Sequence, residues 1–443
     1  MTENSEIKKL PNDRVIKKLS EFGEGFKYHH ENYGASFITA MRDTGGRWDF
    51  GDLVFHFPEH FGFCYGVDKA IDMMFETCER FSSPPVSPHH TGVVGSFAAG
   101  GPIPLESRET GGGVSGHRIF LTDQLIHNPT INDKLKEKGV HYLKRDLHNL
   151  LICDELRSGD IVVVSAFGTD FRDIESLKNR GVTIVDSTCG AIINVWKRVE
   201  GYAKNGYLTV MHGKRNHEET RATVSQAVKK GGDYIIIENS LEAEELAQVI
   251  RGKTPEADFI KKYPQAVPEN FSFDAAVCKM GMANQTTMLK GESLRIQEIL
   301  KKAFQDRFGE TGLRERFKSF DTICGATQDR QDALRNLFNK PLDLLMIVGG
   351  FNSSNTSHLA EIAQGAGGGF LTRPYSFYHI ESVQDIMSRD EIRYRDPQTG
   401  KVETRRDWFQ KGIKNIGVTS GASTPDVTLL EIIRRLAILK RAS

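Results

Sequence analysis

Residues 161–230 read IVVVSAFGTDFRDIESLKNRGVTIVDSTCGAIINVWKRVEGYAKNGYLTVMHGKRNHEETRATVSQAVKK, and this stretch decides the fold class. Three short runs rich in β-branched residues (161–167, 182–188 and 207–212) are each followed by a longer amphipathic stretch. Strand followed by helix, repeated without a hairpin signal, implies parallel sheets with crossover helices. The same unit recurs at 343–350, DLLMIVGG, followed by SNTSHLAEIAQ. The fold class is therefore α/β.

Working outward, 443 residues at roughly 150 per domain predict about three domains. The pattern divides into residues 53–186, 187–320 and 321–443, preceded by a polar N-terminal extension, 1–52. A segment rich in Ser, Pro and Gly, 81–117, reads as an insertion in the first unit. It contains Gly111-x-Gly113-x-x-Gly116, a weak dinucleotide signal because no strand precedes it and no helix opens from it. A polar stretch, 386–409, reads as a surface excursion.

Lys plus Arg (58) balance Asp plus Glu (58), so no global field recruits nucleic acid or an anionic membrane, and any anion site must be local. No apolar run approaches the 18 or so residues needed to span a bilayer; the strongest, 161–167 and 344–348, are strand-sized. The first residues, MTENSEIKKL, lack the apolar core of a secretory signal, and the nine acidic side chains in 1–52 do not suit a transit peptide. A cytoplasmic protein is expected. The six cysteines are scattered and form no CxxC pair, which fits neither a disulfide framework nor a zinc ribbon.

In parallel sheets ligands gather where strands end and helices begin. Asn352-Ser353-Ser354-Asn355-Thr356 follows one predicted strand, and Gly421-Ala422-Ser423-Thr424-Pro425-Asp426 follows another. Both offer hydroxyls and unpaired backbone N–H groups to an anion such as phosphate. Either one alone reads as ordinary helix capping. Two in one chain, with Gln285-Thr286-Thr287 before a further amphipathic stretch, point to a shared anion site. Cys64, Cys189 and Cys324 each sit at a turn or strand end beside glycine or small hydroxyl residues, whereas Cys78, Cys153 and Cys278 do not. Three thiolates from separate segments suit an iron–sulfur cluster with one iron left open; tetrahedral zinc with a fourth His ligand is the competing metal. His127 and His217 lie where helices begin, and Glu219, two residues beyond His217, is a candidate proton donor if buried.

In order along the chain stand GFCYGVDKAI (62–71), IHNPTIN (126–132), VDSTCG (185–190), HEETRAT (217–223), NQTTM (284–288), DTICGATQDRQDAL (321–334), NSSNT (352–356) and GVTSGASTPD (417–426). This series resembles the LytB/IspH family of 4-hydroxy-3-methylbut-2-enyl diphosphate reductases, in the branch found in cyanobacteria and plants. The resemblance runs from about Phe61 to the C-terminal helix, interrupted by the 81–117 insertion.

The resemblance implies three α/β domains with mainly parallel sheets around a central [4Fe-4S] cluster held by Cys64, Cys189 and Cys324. It also implies a diphosphate pocket made by His127, His217, Thr286, Ser353, Ser354, Asn355 and Ser423, with Glu219 delivering protons together with Thr286. The reaction implied removes an allylic hydroxyl as water and yields isopentenyl and dimethylallyl diphosphates, the last step of the non-mevalonate pathway. Electrons would come from ferredoxin or flavodoxin, since no nicotinamide site is visible. Two other readings stand beside this one: a non-catalytic iron–sulfur sensor, and a zinc-dependent hydrolase of phosphate esters. The chain departs from the family pattern where many members have S-A-H-G, because it reads Ser165-Ala166-Phe167-Gly168; it also has Gly190 and Glu218 where prolines are common.

Overall fold

The run Ile161–Val164 lies at the centre of a sheet and is buried on both faces: Ile161 and Val163 pack into one apolar cluster, Val162 and Val164 into another. Alternation between two cores explains why the strand reads as continuously apolar rather than alternating with polar residues. The computed structural model describes residues 15–16, 45–81, 117–365 and 375–441. The 81–117 insertion and its glycine motif therefore lie almost entirely outside the described residues, as does most of the 1–52 extension.

Three sheets organise the chain. The first is parallel throughout, in the order Val15–Ile16, Thr183–Asp186, Ile161–Val164, Ile119–Leu121, His141–Tyr142. The second, also parallel, runs Phe317–Ser319, Lys279–Asn284, Tyr207–His212, Tyr234–Ile237. The third is mixed: Val402–Arg406, Glu391–Arg395, Ser376–Ile380, Leu344–Val348, Asn415–Ser420, Leu53–His56, Arg47–Phe50, with its four central strands parallel. Each sheet separates two apolar clusters, as Val210 and Met211 do in the second sheet and Met346 and Ile347 in the third. These are α/β units of helix, sheet and helix.

Three segments sit elsewhere than the linear pattern suggests. Leu53–His56, at the start of the first predicted unit, pairs in parallel with Asn415–Gly417 in the third sheet, and Arg47–Phe50 from the extension pairs antiparallel beside it. Val15–Ile16 pairs with Ile184 and Val185 in the first sheet. A four-residue strand carries no local signal of a partner hundreds of residues away; the partner is set by which sheet edge is open. The 386–409 excursion is an antiparallel hairpin at the edge of the third sheet, and every residue of its outer strand, Val402–Arg406, is exposed. Charged side chains on that strand discourage further pairing. Among the described residues no helix is long and apolar enough to cross a membrane.

Candidate active site

The carboxyl ends of strands from all three sheets face one central cavity, and the helices that follow begin on its wall. Cys189, Cys324, His217 and Ser353 are the N-cap residues of the helices Gly190–Lys204, Gly325–Leu337, Glu218–Lys229 and Ser354–Gln364. Cys64 immediately precedes Tyr65–Phe81, and its carbonyl accepts the Asp68 N–H. His127 precedes Asn128, which caps Pro129–Glu137. N-cap positions present unsatisfied N–H groups and the positive ends of helix dipoles, so the wall favours thiolates and phosphate without any excess of cationic side chains. The cavity is lined by every residue singled out from the sequence: Cys64, Cys189 and Cys324, His127 and His217, Glu219 and Thr286, and Ser353, Ser354, Asn355 and Ser423.

The thiols occupy one part of the lining. All three are free. Burial pushes the Cys189 thiol up, opposed by the N–H groups of Ala191 and Ile192. Burial does the same to Cys324, opposed by Thr327, whose N–H and Oγ1 lie 3.3 and 3.0 Å from the sulfur. The Cys64 loop is held by the Cys64 N–H on the Ala422 carbonyl, by Arg330 donating to the Gly62 carbonyl at 2.6 Å, and by Gly62 N–H donating to Ser420 Oγ at 2.8 Å. Gly66 brings the first turn of that helix against Cys189, since a Cβ there would stand 2.5 Å from the sulfur.

Among the described residues, the one set of three His, Cys, Asp or Glu ligand atoms lying within 4.8 Å of one another is His127, His217 and Glu218. The three sulfurs form no such set. One tetrahedral zinc ion, with Zn–S of about 2.3 Å, would draw its sulfurs to about 3.8 Å from each other. Thiols more widely spaced around one cavity, each at a helix N-terminus, fit a multi-iron cluster better than a single zinc ion.

The imidazoles and hydroxyls occupy the rest. His217 Nδ1 accepts the Glu219 N–H at 3.1 Å, so its Nε2 carries the proton and faces His127 Nε2 at 3.3 Å. His127 Nδ1 is then the protonated nitrogen and faces Gln124 Oε1 at 3.5 Å. Burial pulls His127 down to about 4, with Asp123 opposing and Lys214 assisting; His217 is held well below the usual imidazole range by burial, then by His127 and Lys214. Both rings are neutral at pH 7. Phe167 stacks on His127 at 4.3 Å between centroids and meets His217 edge-on at 5.5 Å, so it buttresses the pair. Across the cavity Ser353 Oγ caps Thr356 N–H, Asn355 Nδ2 donates to Thr327 Oγ1, and Ser423 Oγ donates to the His127 carbonyl at 3.2 Å. Ser354 Oγ is buried with no hydrogen-bond partner, a donor free to meet a ligand.

Glu219 lies between the two parts. It is 1% exposed, and its Oε1 accepts the Thr286 N–H at 2.6 Å. Burial raises its pKa to about 7, against the opposing hydrogen bonds from Thr286. At neutral pH the carboxyl group is thus near half protonated, which suits a proton donor.

The family described as LytB protein matches residues 106–437. The chain belongs to the LytB family. A curated LytB relative named 4-hydroxy-3-methylbut-2-enyl diphosphate reductase, from Picosynechococcus sp., is 36% identical over 91% of this chain and 89% of its own. Another of the same name, from Thermosynechococcus vestitus, is 35% identical over 95% and 94%. The solved E-1-hydroxy-2-methyl-but-2-enyl-4-diphosphate reductase from Plasmodium falciparum shares the fold, with a TM-score of 0.56 at 20% identity over 86% of each chain.

Within this LytB chain, the sequence reading missed Thr327, Gly66 and Glu218. Thr327 was findable, because a Cys followed by Thr at i+3 has the spacing of a helix cap. Gly66 acts through a thiol from another segment, and Glu218 through two imidazoles at 3.6 and 3.7 Å; only His217 is its sequence neighbour. Neither contact has a local signature.

Proposed function

We propose that this chain reduces (E)-4-hydroxy-3-methylbut-2-enyl diphosphate to isopentenyl and dimethylallyl diphosphates, with Cys64, Cys189 and Cys324 holding an iron–sulfur cluster. The carrying observation is the meeting of three thiols, a buried carboxyl group and a hydroxyl- and imidazole-rich wall in one cavity. When bound, a [4Fe-4S] cluster would relay, one at a time from an external donor, the two electrons that cleaving the allylic C–O bond requires. The balance requires two protons: one leaves with the hydroxyl as water, and the other goes to an end carbon of the allyl unit.

Glu219, buried at the cavity wall, can hold and release a proton near neutral pH, and Thr286 fixes the carboxyl orientation through its N–H. Ser353, Ser354, Asn355 and Ser423, with His127 and His217, bind the diphosphate, which does no chemistry but anchors the reacting end. His217 keeps its proton on Nε2, fixed in that tautomer by the Glu219 N–H on the other ring nitrogen, and shares it with His127 Nε2 at 3.3 Å. A bound diphosphate favours the protonated form of His127, since an opposite charge raises an imidazole pKa. Electrons arrive from a one-electron carrier, ferredoxin or flavodoxin. A sensor would need neither the buried acid nor the anion wall, and the spacing of the thiols disfavours a single zinc.

Anaerobically purified protein, given a chemical one-electron reductant and the allylic diphosphate, is expected to release both isomeric products. Absence of turnover by protein with full iron and sulfide content would contradict the assignment.

A further inference from the structure

The hairpin at the edge of the third sheet is not part of the cavity, yet it reaches the loop that carries the anion-binding segment. Arg395 on its inner strand pairs across the sheet with His379, which puts both side chains on one face. Both are directed at Gly349–Phe351, the loop between the strand Leu344–Val348 and the Ser353 cap. His379 Nε2–H donates to the Gly349 carbonyl at 2.9 Å, and the Phe351 ring meets His379 edge-on at 5.3 Å. Arg395 donates to the Phe351 carbonyl, to Ser357 Oγ at 3.0 Å in the first turn of the helix Ser354–Gln364, and to the Gly400 carbonyl at 3.0 Å in its own hairpin turn. One guanidinium thus ties three separate segments, through two backbone carbonyls and one hydroxyl, a span its fork of fixed donors covers and a single ammonium does not.

The preceding peptide, on the other side of the Phe351 Cα, is held as well. The Phe351 N–H donates to Glu381 Oε1 at 2.7 Å. Glu381 is fixed by its own N–H on Asp385 Oδ2 at 2.8 Å, and Asp385 Oδ1 accepts from Arg393 Nε at 2.6 Å. Arg393 and Arg395, two apart on one strand, therefore share a face directed back at this loop. The loop has little room to adjust by itself, because Gly350 is pressed on the His127 carbonyl so closely that no Cβ would fit.

Resting on the reading that Ser353, Ser354 and Asn355 bind the diphosphate, we propose that the 391–406 hairpin is a buttress for that segment, with Arg395 and Glu381 as positioning residues. They touch no substrate. They fix the two peptides that flank Phe351, and so the direction in which the next hydroxyls and N–H groups point.

The test uses anaerobically purified, cluster-loaded enzyme, with KM and kcat for the allylic diphosphate and calorimetric titration of inorganic pyrophosphate. Arg395→Met should raise KM and weaken pyrophosphate binding about tenfold, as expected for losing a charge-assisted hydrogen bond, with kcat and iron content kept. Arg395→Lys should recover part of the affinity, because one nitrogen can serve both the Phe351 carbonyl and Ser357, as Nη1 does here, but cannot also hold the Gly400 carbonyl in its own hairpin turn. A purely structural role would lower the active fraction and the melting temperature while leaving KM alone. Ser354→Ala is the control for the underlying reading. Weakened binding in Ser354→Ala with unchanged KM and pyrophosphate affinity in Arg395→Met would overturn the buttress alone. Unchanged affinity in both would overturn the diphosphate reading and the buttress with it. Should Arg395→Met fail to accumulate, Glu381→Met carries the test by removing the acceptor of the Phe351 N–H, and wild-type KM and pyrophosphate affinity in that variant would overturn the proposal.

Discussion

The thiol part and the anion part of the cavity are built from the same element, a helix beginning at the end of a parallel strand, and they differ in how finished they are. At the anion part, hydroxyls, amides and imidazoles mostly satisfy one another: Ser353 caps its helix, Asn355 reaches Thr327, and Ser423 holds the His127 carbonyl. At the thiol part the sulfurs have few partners, and burial pushes Cys189 and Cys324 up. A prearranged set of neutral donors binds an anion with little reorganisation. A group of buried thiols is costly to ionise until a cation compensates, so this part is complete only with its metal. Variants in the two parts should therefore fail differently.

The largest effect is expected at the thiols. Cys189→Ser should abolish cluster assembly and with it all turnover; iron and sulfide analysis of anaerobically purified protein checks this, and unchanged content would count against the ligand role. Glu219→Gln comes next. It removes an acid without changing volume, so turnover should fall by roughly 10²–10⁴-fold while iron content and substrate affinity persist. The pH profile follows from the same group. Because burial raises its pKa to about 7, the proton-bearing form is present below that pH and lost above it, so in wild type kcat should decline as pH rises through 7, and in Glu219→Gln this limb should be absent.

How much of this comparison could be read from the chain depends on how local each cause is. The strands at Ile161–Val164 and Leu344–Val348 and the caps at Ser353 and His217 are written in short, contiguous patterns, so the fold class and the helix-start segments that line the cavity were legible. The thiols stood out by their glycine and hydroxyl neighbours. Leu53–His56 could not be placed, because its partner, Asn415–Gly417, lies at the other end of the chain. The Phe167–His127 stack and the Arg395 clamp on Phe351 were equally invisible, since each joins segments from different units or different strands.

Smaller effects sharpen the contrast. Gly66→Ala sets a Cβ 2.5 Å from the Cys189 sulfur, so the thiol must move by about an ångström, and iron content should fall several-fold. Ser423→Ala should keep full iron content and weaken diphosphate binding by about tenfold or less, as for one hydrogen bond. Equal affinity in a direct titration would show that Ser423 serves only to hold the His127 carbonyl. If Ser423→Ala lost iron, or Gly66→Ala lost only affinity, the division between the two parts would not hold.

The most direct test of the central claim is iron Mössbauer spectroscopy on anaerobically purified protein, with and without the allylic diphosphate. Three thiolate ligands around an open position predict about four irons and four sulfides per chain, with one iron site whose signal changes when substrate is added. A single zinc without sulfide, or a four-iron signal indifferent to substrate, would contradict it.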